Sequence, residues 1–153
     1  MAKKKSNKST LKTLSMLSVI FGIVAVATIV LPAIFVKETD TSYTGLQLAF
    51  GYTKEIIGVT TTVFSFSIMN VLAYALVLAG VIFGLAKDSK LFNLISALAF
   101  IVGGIFLFMQ ISFCIPALSS LLKDLFVLSA WSVIAGILAI LSGIISFAKI
   151  ILD

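Results

Sequence analysis

Mainly apolar, uncharged positions fill four stretches of the chain, residues 14–36, 63–86, 91–115 and 125–148, and every charged residue falls outside them. Each stretch is 23 to 25 residues long. At about 1.5 Å per helical residue, that length covers the roughly 30 Å of a bilayer's hydrocarbon core. The pattern predicts four transmembrane helices. A secretory signal peptide also begins with basic residues, but its apolar core stops after about 7–15 residues. The first stretch is therefore read as an uncleaved anchor. Residues 87–90, Lys-Asp-Ser-Lys, leave room only for a tight turn, so the second and third helices are antiparallel neighbours. Pro116 ends the third, and residues 116–124 form a short connection to the fourth.

The gap at about residues 37–62 is the only one long enough to carry structure of its own. Within it Leu46, Leu48, Phe50 and Tyr52 occupy alternate positions, the period of a half-buried strand. Val59, Thr60, Thr61, Thr62 and Val63 follow as a β-branched run with high strand propensity. The two segments predict a small antiparallel β-hairpin. Because two strands alone are marginal in water, its apolar face is expected to rest on the helix ends or on the second loop of the same side. The fold class is thus an all-α membrane protein, a four-helix transmembrane bundle with a small extracellular β-hairpin in its first outer loop.

Charge sets the orientation. The 153 residues carry 11 Lys and Arg, all of them Lys, against six Asp and Glu, for a net charge of +5. Eight lysines lie in the basic segment 1–13, the turn at 87–90 and the carboxyl terminus, whereas Lys37, Lys54 and Lys123 lie on the other side. The positive-inside rule places both termini in the cytoplasm of a multi-pass cell-membrane protein. Tyr74 and Trp131 fall inside their spans, where they are expected to pack against other helices.

Composition then excludes most chemistry. With 61% hydrophobic residues and a mean hydropathy of +1.24, the chain lies outside the range of soluble enzymes and nucleic-acid binders. There is no His, and Cys114 is the single Cys. No haem, copper, zinc or dithiol site follows from that inventory, and no catalytic, cofactor or metal residue is assigned. All six acids, Glu38, Asp40, Glu55, Asp88, Asp124 and Asp153, fall outside the apolar stretches, so none is placed to relay protons across a membrane. Small multidrug-resistance transporters, by contrast, depend on a membrane-embedded glutamate.

Asn70 and Gln110 remain as interhelical polar residues, expected at similar depth near the outer ends of adjacent helices and able to hydrogen-bond there. Small residues recur at four-residue spacing, most extensively at Ala135, Ala139 and Gly143 of the fourth stretch. Such a stripe lets helix backbones approach closely, either within the bundle or against another protein.

Four spans, internal termini, a strand-bearing first outer loop and a short second one together resemble the claudin-like architecture. The chain has Thr44-Gly45-Leu46 in that loop but neither the Trp nor the two Cys that claudins carry there, so the resemblance implies topology and no site. Residues 44–52 are also similar to segments of small uncharacterised membrane proteins of low-GC bacteria. The reading is a non-enzymatic membrane protein, an interaction or accessory subunit. It would contact membrane lipids and another membrane protein or itself through Leu46, Leu48, Phe50, Tyr52 and the face of Ala135, Ala139 and Gly143. The alternative is a small oligomeric channel or carrier lined by Asn70, Gln110 and the serines of the spans.

Overall fold

The computed structural model describes residues 2–86, 89–114 and 124–152, with side chains from Lys8 onward. Four long helices dominate: α1 (Ala2–Ala27), α3 (Ile68–Leu85), α4 (Lys90–Phe108) and α6 (Ala130–Leu152). A short 3-10 turn, Thr28–Val30, continues α1. All four are long and apolar enough to cross a membrane, and the chain is a multi-pass membrane protein. Neighbouring helices pack in the order α1, α3, α4, α6 and back to α1.

Small residues point inward and large ones outward. In α3 the buried stripe includes Ala73, Val77, Gly80 and Gly84, while Leu78, Ile82 and Leu85 are exposed. Such a surface suits lipid, which rewards close backbone packing between helices and tolerates bulky apolar side chains outside. Phe100 of α4 is the main exception, a fully buried ring. Its seat is cut by two glycines: a Cβ on Gly22 would lie 2.5 Å from the ring and one on Gly80 would lie 2.8 Å from it.

At one end of the bundle the chain builds a cap. It comprises β1 (Pro32–Val36), β2 (Ser42–Thr44), α2 (Gly45–Phe50), β3 (Tyr52–Ile56), β4 (Val59–Phe64), α5 (Gln110–Phe113) and β5 (Phe126–Leu128). Strands β2, β1 and β5 form an antiparallel sheet with β1 in the middle, Ile34 lying opposite both Tyr43 and Leu128. Strands β3 and β4 form a separate hairpin in which Ile56 pairs with Val59. The cap has its own core of Ala33, Ile34, Leu48, Phe64 and Cys114, flanked by Tyr43, Tyr52, Ile111 and Phe126.

Several sequence expectations change here. The apolar stretches overran the helices, all at the cap end. Residues 32–36 are strand, β4 extends to Phe64, α4 stops at Phe108, and 126–128 are strand. The surplus apolar residues form the cap core, and hydropathy alone does not separate burial in protein from burial in lipid. The hairpin is present, but residues 46–50 are helical and Tyr52 instead opens its first strand. A capping box decides this: Thr44 Oγ1 accepts from the Gln47 amide at 3.3 Å while Gln47 Oε1 accepts from the Thr44 amide at 2.9 Å. Trp131 is not interior. It is the second residue of α6 and 46% exposed, at the boundary between bundle and cap, where amphipathic rings anchor a membrane interface. Residues 87–88 of the predicted turn and 116–123 of the second connection lie outside the described residues.

Candidate functional site

Between cap and bundle lies a layer of buried polar side chains. Met109, with φ −92° and ψ 9°, interrupts the helix, and Gln110 opens α5 in the break. Gln110 Nε2 donates to the Tyr74 hydroxyl at 2.8 Å, and its Oε1 lies 2.7 Å from Ser132 Oγ. Ser132 has one proton for two acceptors, Gln110 Oε1 and the Ala33 carbonyl at 3.0 Å. Ser129 Oγ donates to the Pro32 carbonyl and accepts from the Trp131 amide at 3.1 Å, capping the start of α6. Ser67 Oγ likewise donates to the Phe113 carbonyl at 2.7 Å and caps α3. Every element entering or leaving the bundle on this side is tied to a neighbour.

Asn70 and Gln110 both sit in this layer, fully buried, but each has a different partner. Asn70 Nδ2 reaches the Leu48 carbonyl at 3.4 Å, and its Oδ1 has no hydrogen-bond partner among the described residues. The expected Asn70–Gln110 pair is replaced by two separate welds between bundle and cap, because Tyr74, one turn along α3, presents its hydroxyl to Gln110 first. The chemistry of the two amides is positional: they hold the cap in register on the helices.

The stripe of Ala135, Ala139 and Gly143 is buried as well. It faces α4, where a Cβ on Gly143 would meet the Ala97 carbonyl at 2.9 Å and one on Gly104 would meet Ala139 Cβ at 3.2 Å. These residues are consumed inside the bundle and offer no surface to a second protein. Of the apolar residues read from the first outer loop, Leu48 is in the cap core and Tyr52 is half-buried with its ring 5.9 Å from Tyr43. Burial pushes the Tyr43 phenol above its ordinary pKa, and the neighbouring Tyr52 adds to that shift. Leu46 and Phe50 remain exposed, on the side chains of α2 that face away from the core, and Phe50 lies 6.5 Å from the exposed Phe66 ring.

Sequence reasoning passed over the hairpin tip. Ile57 and Gly58 form its turn, both with positive φ, 52° and 76°. A β-branched residue is a poor choice for that backbone, which Asn or Gly normally supplies. Ile57 is nonetheless 98% exposed, with Val59 at 64% and Ile56 also exposed beside it. The signal was available in the sequence: Ile-Ile-Gly-Val between two polar strand segments marks an apolar turn where a polar one is usual.

Among the described residues no group of His, Cys, Asp or Glu is placed to hold a metal ion, and Cys114 is buried in the cap core. Comparison with protein-family models, with curated proteins and with solved structures gives no match.

Proposed function

We propose that the chain is a non-enzymatic membrane interaction protein. Its cap faces outward, its lysine-rich end faces the cytoplasm, and the tip of the β3–β4 hairpin docks another membrane protein or a second copy of this chain. The observation that carries this reading is the tip: Ile56, Ile57 and Val59 hold apolar surface on a two-stranded arm whose outer residues are exposed on both faces. Such a hairpin buries little against its own protein, and its unpaired strand edges and apolar end are features a partner would cover. Leu46, Phe50 and Phe66 extend the apolar surface of the cap. The two outer segments jointly building a β-structured cap on four spans are what support the claudin-like architecture as a proposal.

The test replaces Ile56, Ile57 and Val59 together by Ser, followed by crosslinking in native membranes and purification. Loss of a co-purifying membrane protein, or of the self-crosslinked species, is expected while membrane insertion persists. A complex that survives the triple substitution removes the tip from the account.

A further inference from the structure

At the end opposite the cap, the amino-terminal part of α1, the carboxyl-terminal end of α3, the start of α4 and the end of α6 come together. Five contacts fix this arrangement. Ser18 Oγ donates to the Ser142 carbonyl at 3.0 Å and lies 2.8 Å from Ser146 Oγ, joining α1 to α6. Ser96 Oγ donates to the Gly80 carbonyl at 2.7 Å, joining α4 to α3. Lys149 Nζ donates to Asn93 Oδ1 at 2.9 Å and to Ser15 Oγ at 3.1 Å. By sequence Lys149 follows the last apolar stretch, at the carboxyl terminus. It belongs instead to α6, is 3% exposed, and places an ammonium group inside the helix assembly.

Directly outside this contact is a cleft of about 450 Å³ between α1 and α3, lined by Ser15, Met16, Val19, Ile20, Leu85 and Ala86, with Gly84 completing its wall. Ser15 is shared: its hydroxyl both lines the cleft and accepts from Lys149. Lys8 and Lys12 are exposed on α1 and precede Ser15 and Met16 at helical spacing, on the same face of the helix. The walls grow apolar with depth. Met16, Ile20 and Leu85 are exposed side chains on the surface that faces lipid.

We infer that this cleft is a binding site for an anionic phospholipid. Its phosphate would sit beside Ser15 within the field of Lys8, Lys12 and Lys149, and the first methylenes of an acyl chain would lie along Met16, Val19 and Ile20. Charge complementarity chooses the occupant. Among the described residues this end of the molecule carries Lys8, Lys12, Lys90 and Lys149 and no acid, and α1, α3, α4 and α6 contain none. Basic pockets between membrane helices near the headgroup level are where anionic headgroups are held. The volume is that of a small-molecule site, enough for a headgroup and the beginning of a chain. The site is independent of the cap and of its proposed partner.

The test measures lipid retained by the purified full chain, by native mass spectrometry, after exposure to phosphatidylcholine vesicles with and without phosphatidylglycerol. One phosphatidylglycerol per chain is expected to survive delipidation, with phosphatidylcholine lost. Lys8→Gln and Lys12→Gln each weaken retention roughly fivefold, the worth of one basic residue beside an anionic headgroup. Ala86→Trp fills the mouth of the cleft without altering charge and abolishes retention. Met16→Trp does the same from the α1 side, should the first variant fail to fold. Equal retention of phosphatidylcholine overturns the inference. So does full retention by a folded Trp variant, which would leave the lipid in a diffuse lysine field. Displacement by equimolar inorganic phosphate also overturns it, because the apolar walls would then contribute nothing.

Discussion

Two amides that look equivalent in the sequence have unequal environments. Gln110 satisfies Tyr74 and meets Ser132, whereas Asn70 makes one long hydrogen bond and leaves Oδ1 bare among the described residues. Removing a partner that others depend on strands buried polar groups, at a cost of about 1–3 kcal/mol, whereas removing a poorly satisfied one recovers desolvation. Gln110→Leu is therefore expected to lose about that much stability in detergent unfolding, and Asn70→Leu less than about 1 kcal/mol. Equal losses would show that Asn70 is better held than its contacts indicate. Ile57 makes a second residue-scale test. Its positive φ is a cost of order 1 kcal/mol for a β-branched side chain. Ile57→Asn is expected to steady the hairpin, read as slower amide exchange at β3 and β4, while weakening partner capture. A variant that steadies the arm and still captures its partner would separate the turn from the contact. Asn70 and Gln110 were legible in the sequence as buried polar residues, whereas the burial of Lys149 was not. Which amide pairs with which group was not, because that depends on the break at Met109 and on Tyr74 lying one turn from Asn70.

At the scale of elements, four helices were legible because each is an uninterrupted apolar run, and β4 was legible because its β-branched residues have little other use. What escaped was the division of each run between lipid and cap. Ile34 and Val36 in β1 are as apolar as anything in α1, yet β1 is central in a three-stranded sheet. In the segment 46–50 the alternating pattern was outweighed by a local signal, Thr44 and Gln47 at capping-box spacing. The small-residue stripe of α6 was also legible, though not its partner, which is α4. Gly143→Leu drives a side chain into the Ala97 carbonyl and Ile101. Overpacking of that kind costs about 1–3 kcal/mol or more, and the variant is expected to unfold at lower temperature while its exposed neighbour Ile144→Leu stays unchanged. A neutral Gly143→Leu would mean that α4 and α6 are not in contact there.

The two ends of the molecule differ in chemistry. Lys8, Lys12, Lys90, the buried Lys149 contact and the α1–α3 cleft lie at one end, and the sheet, the hairpin and the exposed Trp131 at the other. The cap was legible only in outline, and the lysine distribution gives an orientation that remains an expectation. Its topology follows from single-cysteine labelling in a Cys114→Ala background. Thr60→Cys is expected to react with a membrane-impermeant maleimide from outside intact cells, and Lys8→Cys only after permeabilisation. The reverse pattern would invert the molecule. The central claim, that the hairpin tip is a protein contact, is tested most directly by a photoreactive residue at position 57, crosslinked in native membranes and compared with one at the lipid-facing position 144. A discrete adduct with one membrane protein or with a second copy of this chain, formed at 57 and not at 144, is the predicted result. Adducts to lipid alone, or the same adducts from both positions, would contradict it.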